Sequence, residues 1–468
     1  MPFEIRRRER HPSFTLYRRL IGPSILVAAV VGIRQITASS SGYSNILGPS
    51  STSGISSSTS RTVQVQIIHR HGDRTPITSM KDEGYWASKL VPPEWQEKIA
   101  KGTHLVRNPG ASNAHVSLVH SLRQYFRRSL TSLLVLLRLK QVAQGRGPYG
   151  KLTQLGLLQM IGVGEKLRED FYKELKGDYG PLRPENIRVF STDFQRTIQS
   201  VQGVLVGLFP DGPGESVIPI DCRHTNWLIP DPQPRRSQEQ TDLEAILSSR
   251  LHIRQRDDEL KPLAIKCTNA LRDMLSNDAF EVSYGIGEEK DSPNDASNTK
   301  PLSWAQLAEI TKCLRVHNRL PEEITDEDIV ALSTHTAWRW FENLSDSRLS
   351  FLAMNKFALS IMNTMHNVDD KDTPPVIIYS AHDSSLIGLL CAFRLEQPTE
   401  WPEYASYLKI ELLEVTTATT KPTKVEYMVR FSLNGKLLRS NWHGKLRDTI
   451  PLHVLFNNIK TEGAVKAT

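Results

Sequence analysis

The sequence predicts an α/β protein in which helices cover both faces of a sheet and a mainly helical cap is inserted into it. Three observations lead there. Strand-like apolar runs recur at residues 63–68, 187–190 and 376–379, each leading into a turn rich in His, Arg or Asp. Helical stripes follow two of these turns or the segment between them: Leu157, Ile161, Gly164, Leu167 and Phe171, then Ile198, Val201, Leu205 and Leu208. Two long stretches, 78–149 and 222–369, break the alternation and are expected to form the cap, leaving 61–77, 150–221 and 370–460 as the core. With 468 residues, 39% of them hydrophobic, the chain can bury a core of that size.

Residues 1–60 are expected to be a leader or anchor followed by a linker. Arg6, Arg7, Arg8, Arg10, Arg18, Arg19 and Arg34 flank an apolar run over 20–33 that is short for a membrane span and about right for a secretory signal. Only Glu4 and Glu9 oppose these arginines, so a mitochondrial leader fits too, and Ile36-Thr37-Ala38 lacks a clean small-x-small cleavage site, which keeps an uncleaved anchor open. This segment is the basis for any membrane association. Serine, glycine and threonine dominate 38–60, the composition of a flexible linker.

The first core strand alternates, Val63-Gln64-Val65-Gln66, and closes on Ile67-Ile68 as a strand entering a buried sheet does. Arg70-His71-Gly72-Asp73-Arg74-Thr75-Pro76 follows. Guanidinium groups grip phosphoryl oxygens bidentately, and an imidazole between them can attack phosphorus with a neutral nitrogen. Gly72 permits a close backbone approach and Pro76 stiffens the exit. His69 reads as a core histidine, and Asp73 as a turn residue outside the site. Thr153 is expected to cap the helix that carries Leu157, and Ser191, Thr192 or Asp193 the helix that carries Ile198. A helix is expected over 384–393. Ligands of open α/β sheets bind beyond the carboxyl ends of the strands, so His71, Arg196 and His382 should converge there.

These segments resemble the histidine acid phosphatases, a branch of the phosphoglycerate-mutase-like superfamily, over roughly residues 61–455. Gly150-Lys151-Leu152-Thr153-Gln154-Leu155-Gly156 with Gln159 and residues 164–168 resembles the family's first long helix. Residues 191–197 resemble the segment that supplies a third phosphate-binding arginine, here Arg196, and Tyr379-Ser380-Ala381-His382-Asp383 resembles its HD motif. The resemblance implies a phosphoglycerate-mutase-like sheet and a phosphomonoesterase working through a phosphohistidine on His71. Arg70, Arg74, Arg196 and His382 would bind phosphate, Asp383 would be the proton donor, the optimum would be acidic, and no metal or cofactor would be needed. One departure stands out: Phe190 occupies a position where family members often have arginine, with Arg188 two positions earlier. The long connection between Pro76 and Gly150 resembles the lysophosphatidic acid phosphatase subgroup, which implies a small, lipid-type phosphomonoester as substrate; a phytase-like or broad-specificity enzyme is the alternative.

Other classes fit less well. The net charge of +7 invites nucleic acid, but outside the leader the basic residues form no patch interleaved with aromatics. A metallohydrolase would use His71, Asp73, His382 and Asp383 as ligands, and the neighbouring arginines would repel the cation. A non-catalytic phosphate-binding protein would not need every catalytic position filled. Cys222, Cys267, Cys313 and Cys391 allow up to two disulfides in a secreted chain and would be buried thiols in a reducing compartment. Asn343-Leu344-Ser345 is a glycosylation sequon. Val119, Leu122, Phe126, Leu130, Leu133 and Leu137 form a helical stripe that packs on the cap or faces lipid, and 283–300 has the composition of an exposed loop. Trp86, Trp95, Lys98 and His104 fit either packing or substrate contact.

Overall fold

A computed structural model describes residues 58–107, 146–174, 182–214, 216–223, 237–276, 279, 301–370, 372–417, 424–442 and 444–461. Its strands are β1 (Ser58–Arg70), β2 (Thr103–Arg107), β3 (Ile187–Thr192), β4 (Ile218–Arg223), β5 (Val376–Ala381), β6 (Tyr407–Thr417), β7 (Lys424–Leu433), β8 (Lys436–Leu438), β9 (Ser440–Trp442), β10 (Lys445–Arg447) and β11 (Thr449–Pro451). Its α-helices are α1 (Glu83–Lys89), α2 (Pro93–Ala100), α3 (Gln154–Glu174), α4 (Gln195–Leu208), α5 (Gln238–Ser248), α6 (Leu251–Leu271), α7 (Trp304–Val316), α8 (Asp326–Leu344), α9 (Ser347–His366), α10 (Asp383–Ala392) and α11 (Leu452–Thr461).

The strand order is β11-β7-β6-β1-β5-β3-β4-β2, with β8 on β7. β1, β5, β3, β4 and β2 run parallel, and β6, β7 and β11 add an antiparallel wing. Both faces are covered, as expected. Val65, Ile67, Val189, Ile220 and Ile378 pack under α3 and α4, while Ile68, Ile377, Tyr379, Leu408 and Ile410 pack under α8, α9, α10 and α11. Val63 lies on the face opposite Val65 because a bulge between Thr62 and Gln64 shifts the register by one residue. Gln64 and Gln66 are fully buried and hydrogen-bonded, Gln66 to the Ile361 carbonyl at 3.0 Å. Between α3 and α4 the backbones nearly touch: a Cβ on Gly164 would stand 2.1 Å from the Val204 carbonyl oxygen, and one on Gly207 2.1 Å from that of Ile161.

Several boundaries differ from the expectation. β1 begins at Ser58, inside the expected linker, because β6 is long enough to pair with it up to Thr417. The 78–149 insertion is not purely cap: β2 pairs with β4 at the sheet edge, and Val91, Trp95 and Ile99 pack against Leu157, Leu158 and Ile161 of α3. Helix α9, expected in the cap, buries Met354, Phe357 and Ile361 against the sheet. Helix α8 bridges, with Ile329 and Leu332 in the cap core and Ala337, Trp340 and Phe341 in the sheet core. Thr153 caps α3 through the Gly156 N–H at 3.0 Å, but α4 starts after Phe194 with no side-chain cap, and Asp193 instead pairs with Arg107 at 3.1 Å. Helix α10 starts at Asp383 rather than 384.

All four cysteines are buried and unpaired, so the disulfide option is not used. Asn343, the sequon acceptor, is buried in α8 and its Nδ2 donates to Ser248 Oγ at 3.0 Å, which leaves no room for a glycan. Trp86 and Trp95 are core residues. Among the described residues no helix is long and apolar enough to cross a membrane. The leader, the 119–137 stripe and the 283–300 segment lie outside the described residues.

Candidate active site

β1 ends at Arg70 and β5 at Ala381, adjacent parallel strands whose register pairs those two residues. Parallel pairing therefore places His71 beside His382, with ring centroids 5.5 Å apart and nearly perpendicular. β3 lies on the other side of β5 and feeds α4, whose second residue is Arg196. The site is thus at the carboxyl edge of three neighbouring strands, as expected. Arg70, His71, Arg74, Arg196 and His382 are at most 5% exposed. The turn after β1 reaches this position because Gly72 runs against α3: a Cβ there would lie 2.2 Å from the Gly156 carbonyl oxygen, and one on Gly156 2.0 Å from that of Asp73.

His71 Nδ1 lies 2.8 Å from the Gly72 carbonyl oxygen. A carbonyl only accepts, so Nδ1 carries the hydrogen and Nε2 keeps a free lone pair. Burial, then the charges of Arg196, Arg70 and Arg74 and the neighbouring His382, push the His71 pKa well below its ordinary value, and the ring is neutral. The same factors, burial first and Arg196 next, depress His382, whose Nε2 meets Thr192 Oγ1 at 3.0 Å. Arg70 pairs with Asp383 at 2.8 Å, donates to the Pro402 carbonyl and lies 4.1 Å from the centre of the Tyr404 ring. Arg74 pairs with Glu309 of α7 at 2.5 Å. Burial alone would lower the Arg74 pKa, but Tyr404 and Glu309 raise it above the usual arginine value. Arg196 donates to the Gly150 carbonyl at 3.3 Å and lies over the Phe194 ring at 4.5 Å; burial and Arg74 lower it to about 9.

Asp383 begins α10. Its Oδ1 accepts the Ser384 N–H at 2.8 Å, and its Oδ2 accepts both Arg70 and the Trp401 indole N–H at 2.8 Å. Burial raises its pKa, but Arg70 and Trp401 outweigh burial and hold it at about 2. Before an anion binds, therefore, this carboxyl is ionised.

The structure brings all six expected residues together and adds Trp401, Tyr404 and Glu309, which carry no local signal in the sequence, and Thr192, which reads from the sequence as a candidate helix cap. Arg188 does not replace the arginine missing at Phe190. It is exposed near the start of β3, on the order of 13 Å along the strand from Thr192, and opens on a separate cleft of about 640 Å³ with Lys356 and Asp370. Phe190 stacks on Tyr379 with centroids 5.2 Å apart. Asp73 stays out of the cradle, its Oδ2 held by Thr153 at 2.5 Å and by His317 at 2.9 Å. The four-ligand metal alternative, which needs Asp73, is therefore not assembled, and among the described residues no His, Cys, Asp or Glu cluster could hold a metal. His69 is a core histidine, fully buried and lowered to about 4 mainly by burial.

Comparison with known proteins places this arrangement. Residues 63–275 and 327–434 match the histidine phosphatase superfamily (branch 2). Counting factor 60 of Dictyostelium discoideum is 26% identical over 384 residues, 80% of this chain and 79% of that protein. Lysophosphatidic acid phosphatase type 6 of Mus musculus is 22% identical over 388 residues, 80% of this chain and 78% of that one. The phytase from Citrobacter braakii superposes with a TM-score of 0.52 at 14% identity, covering 86% of this chain and 97% of that chain, a likeness of fold. Both matched segments contribute cradle residues, His71 and Arg196 from the first and His382 and Asp383 from the second, and the chain belongs to the histidine phosphatase superfamily, branch 2.

Proposed function

We propose that the chain hydrolyses phosphomonoesters in two displacements at His71. Its family and its acid phosphatase relatives make it a phosphoric monoester hydrolase. In the first displacement the Nε2 lone pair of His71 attacks phosphorus, the ester P–O bond breaks, and Asp383 gives its proton to the departing oxygen. In the second, water attacks phosphorus, the P–N bond breaks, and the water proton returns to the Asp383 carboxylate. Arg70, Arg74, Arg196 and His382 hold the phosphoryl oxygens. The phosphoimidazolium keeps its Nδ1 hydrogen on the Gly72 carbonyl, which offsets its positive charge.

One observation carries the reading: a neutral imidazole with its nucleophilic nitrogen selected by a backbone carbonyl, buried among three guanidinium groups. Rapid quenching with radiolabelled substrate should trap label on His71. The His71→Ala variant should lose at least about 10³-fold in turnover and trap none; undiminished phosphate release from it would end the assignment.

For the substrate, a lysophosphatidate-type monoester leads. The leaving group departs beside Asp383, where the half-buried Trp401 offers an aromatic surface and Lys312 is neutralised by Glu403 at 2.6 Å. An apolar alcohol suits that surface better than a polyphosphate. Rates on lysophosphatidate, phytate and p-nitrophenyl phosphate decide it, and a preference for phytate would favour the phytase-like alternative. A secretory or anchored location, with the mitochondrion as alternative, belongs to the same proposal and is tested by localising the full chain.

A further inference from the structure

Residues 401–406 form a strap across the cradle. The Ala405 N–H donates to the His71 carbonyl at 3.1 Å and the Arg70 N–H to the Ser406 carbonyl at 2.8 Å, so both flanks of the nucleophile are tied to it. Lys312 of α7 holds the outer side through the Trp401 carbonyl at 3.4 Å and Glu403 at 2.6 Å. Trp401 is fixed further by its own N–H on Ser333 Oγ at 3.2 Å and by edge contact with Trp340, centroids 5.3 Å apart. Ala405 itself has a φ of 62°, a left-handed conformation that strains a non-glycine residue. A strained residue held on both sides points to a geometric demand at this place.

That demand is legible at Asp383. Its Oδ2 has two donors, Arg70 and Trp401, and only Arg70 is shared with the phosphate cradle. Arg70 belongs to the phosphate cradle, where its buried Nε has no hydrogen-bond partner and is open to a phosphoryl oxygen. Trp401 has no part in the cradle and is anchored from three sides.

We propose that Trp401 is a positioning residue: while Arg70 shares its charge with a bound phosphoryl group, the Trp401 indole N–H keeps hold of Oδ2 and so sets the pH range over which Asp383 donates a proton. A donor to the carboxylate favours the ionised form and makes the protonated form a stronger acid toward the leaving oxygen. The charged and titratable groups facing Asp383 are Arg70 from β1, Arg74 from the turn after it, Arg196 from α4 and His382 beside it. All four belong to the phosphate-binding set, which leaves Trp401 as the donor on the leaving-group side.

This rests on Asp383 as the acid, and the experiment separates the two. Trp401→Phe keeps the ring and its contact with Trp340 but removes the N–H. With an alkyl phosphate, whose alcohol must be protonated, the alkaline limb of its kcat profile should move up by about half to one pH unit. With p-nitrophenyl phosphate, whose leaving group needs no proton, kcat should change less than about twofold. Inhibition by inorganic phosphate should be unchanged, showing the cradle intact, and Trp401→Leu, which likewise has no donor, takes the same measurements if the Phe variant does not fold. A uniform drop in kcat with the profile unmoved would make Trp401 merely structural and overturn the proposal. Asp383→Asn serves as the control: equal activity of that variant on both substrates would remove the acid assignment itself.

Discussion

Arg70 serves two anions, the Asp383 carboxylate through Nη2 and an arriving phosphoryl group through its unpartnered Nε. The pairing holds Asp383 at about 2, depressed from its ordinary value, so the stability it contributes is fully present above the unfolded-state value of about 4 and is lost as the pH falls through about 2. A bound dianion shares the charge of Arg70 and adds negative charge beside Asp383, and both changes raise the proton affinity of Asp383. Binding of sulfate, a dianion that carries no exchangeable proton near pH 5.5, should therefore take up close to one proton, measured by calorimetry in buffers of different ionisation enthalpy, and Asp383→Asn should abolish the uptake. Binding without uptake in the parent enzyme would mean that Asp383 stays ionised and cannot be the acid. His71 sets no acid limb, since burial and the guanidinium charges keep it neutral. At this scale the sequence is an uneven guide. The residues that meet phosphate are legible because their chemistry is packed into short motifs at strand ends. Glu309 lies 235 positions from Arg74, and nothing in its own helix distinguishes it from a solvated glutamate. Trp401 and Tyr404 follow Pro398, Thr399 and Glu400 in a stretch with no periodicity, so only the folded chain reveals their roles.

At the scale of elements, the α3–α4 crossing decides where two parts of the site stand. Helix α3 backs the motif turn through Gly156, and α4 carries Arg196. The crossing is close enough that Gly164→Ala would force a methyl against the Val204 carbonyl oxygen. It should destabilise the fold by about 1–3 kcal/mol, read as a fall in denaturant midpoint at unchanged slope. An exposed glycine such as Gly84, with open space around it, should tolerate the same change. The stripe containing Gly164 was readable from its spacing, yet spacing does not say which helix will press against it. The same limit explains α9: Met354, Phe357 and Ile361 announce a buried face, and both the cap core and the sheet core could have received it. Edge strand β2 escaped notice for a different reason. Its Thr103-His104-Leu105-Val106-Arg107 pattern is short and largely exposed, the usual look of a loop.

At the scale of the whole molecule, cap and sheet are joined through the site. Arg74 reaches Glu309 of α7, and Asp73 reaches His317 just beyond it, so the turn that carries the nucleophile is clamped from the cap side. The α/β class and the inserted cap were legible because alternation and its interruption are long-range patterns. The antiparallel wing was not, since β7 and β11 pair locally and β6 joins β1 from the far end of the chain with no motif to mark it. The parallel pairing of β1 with β5 has a further consequence during synthesis. Tyr379 meets Gln66 across 313 positions, so the nascent first strand waits for roughly 15–60 s of translation before its partner leaves the ribosome. Throughout that interval an apolar strand edge is open to aggregation, and no shorter piece can hold phosphate. Stalled chains ending before Ala381 should be inactive and chaperone-bound, with phosphatase activity appearing only after β5 and α10 have emerged; pulse-labelled translation coupled to an activity assay checks that order.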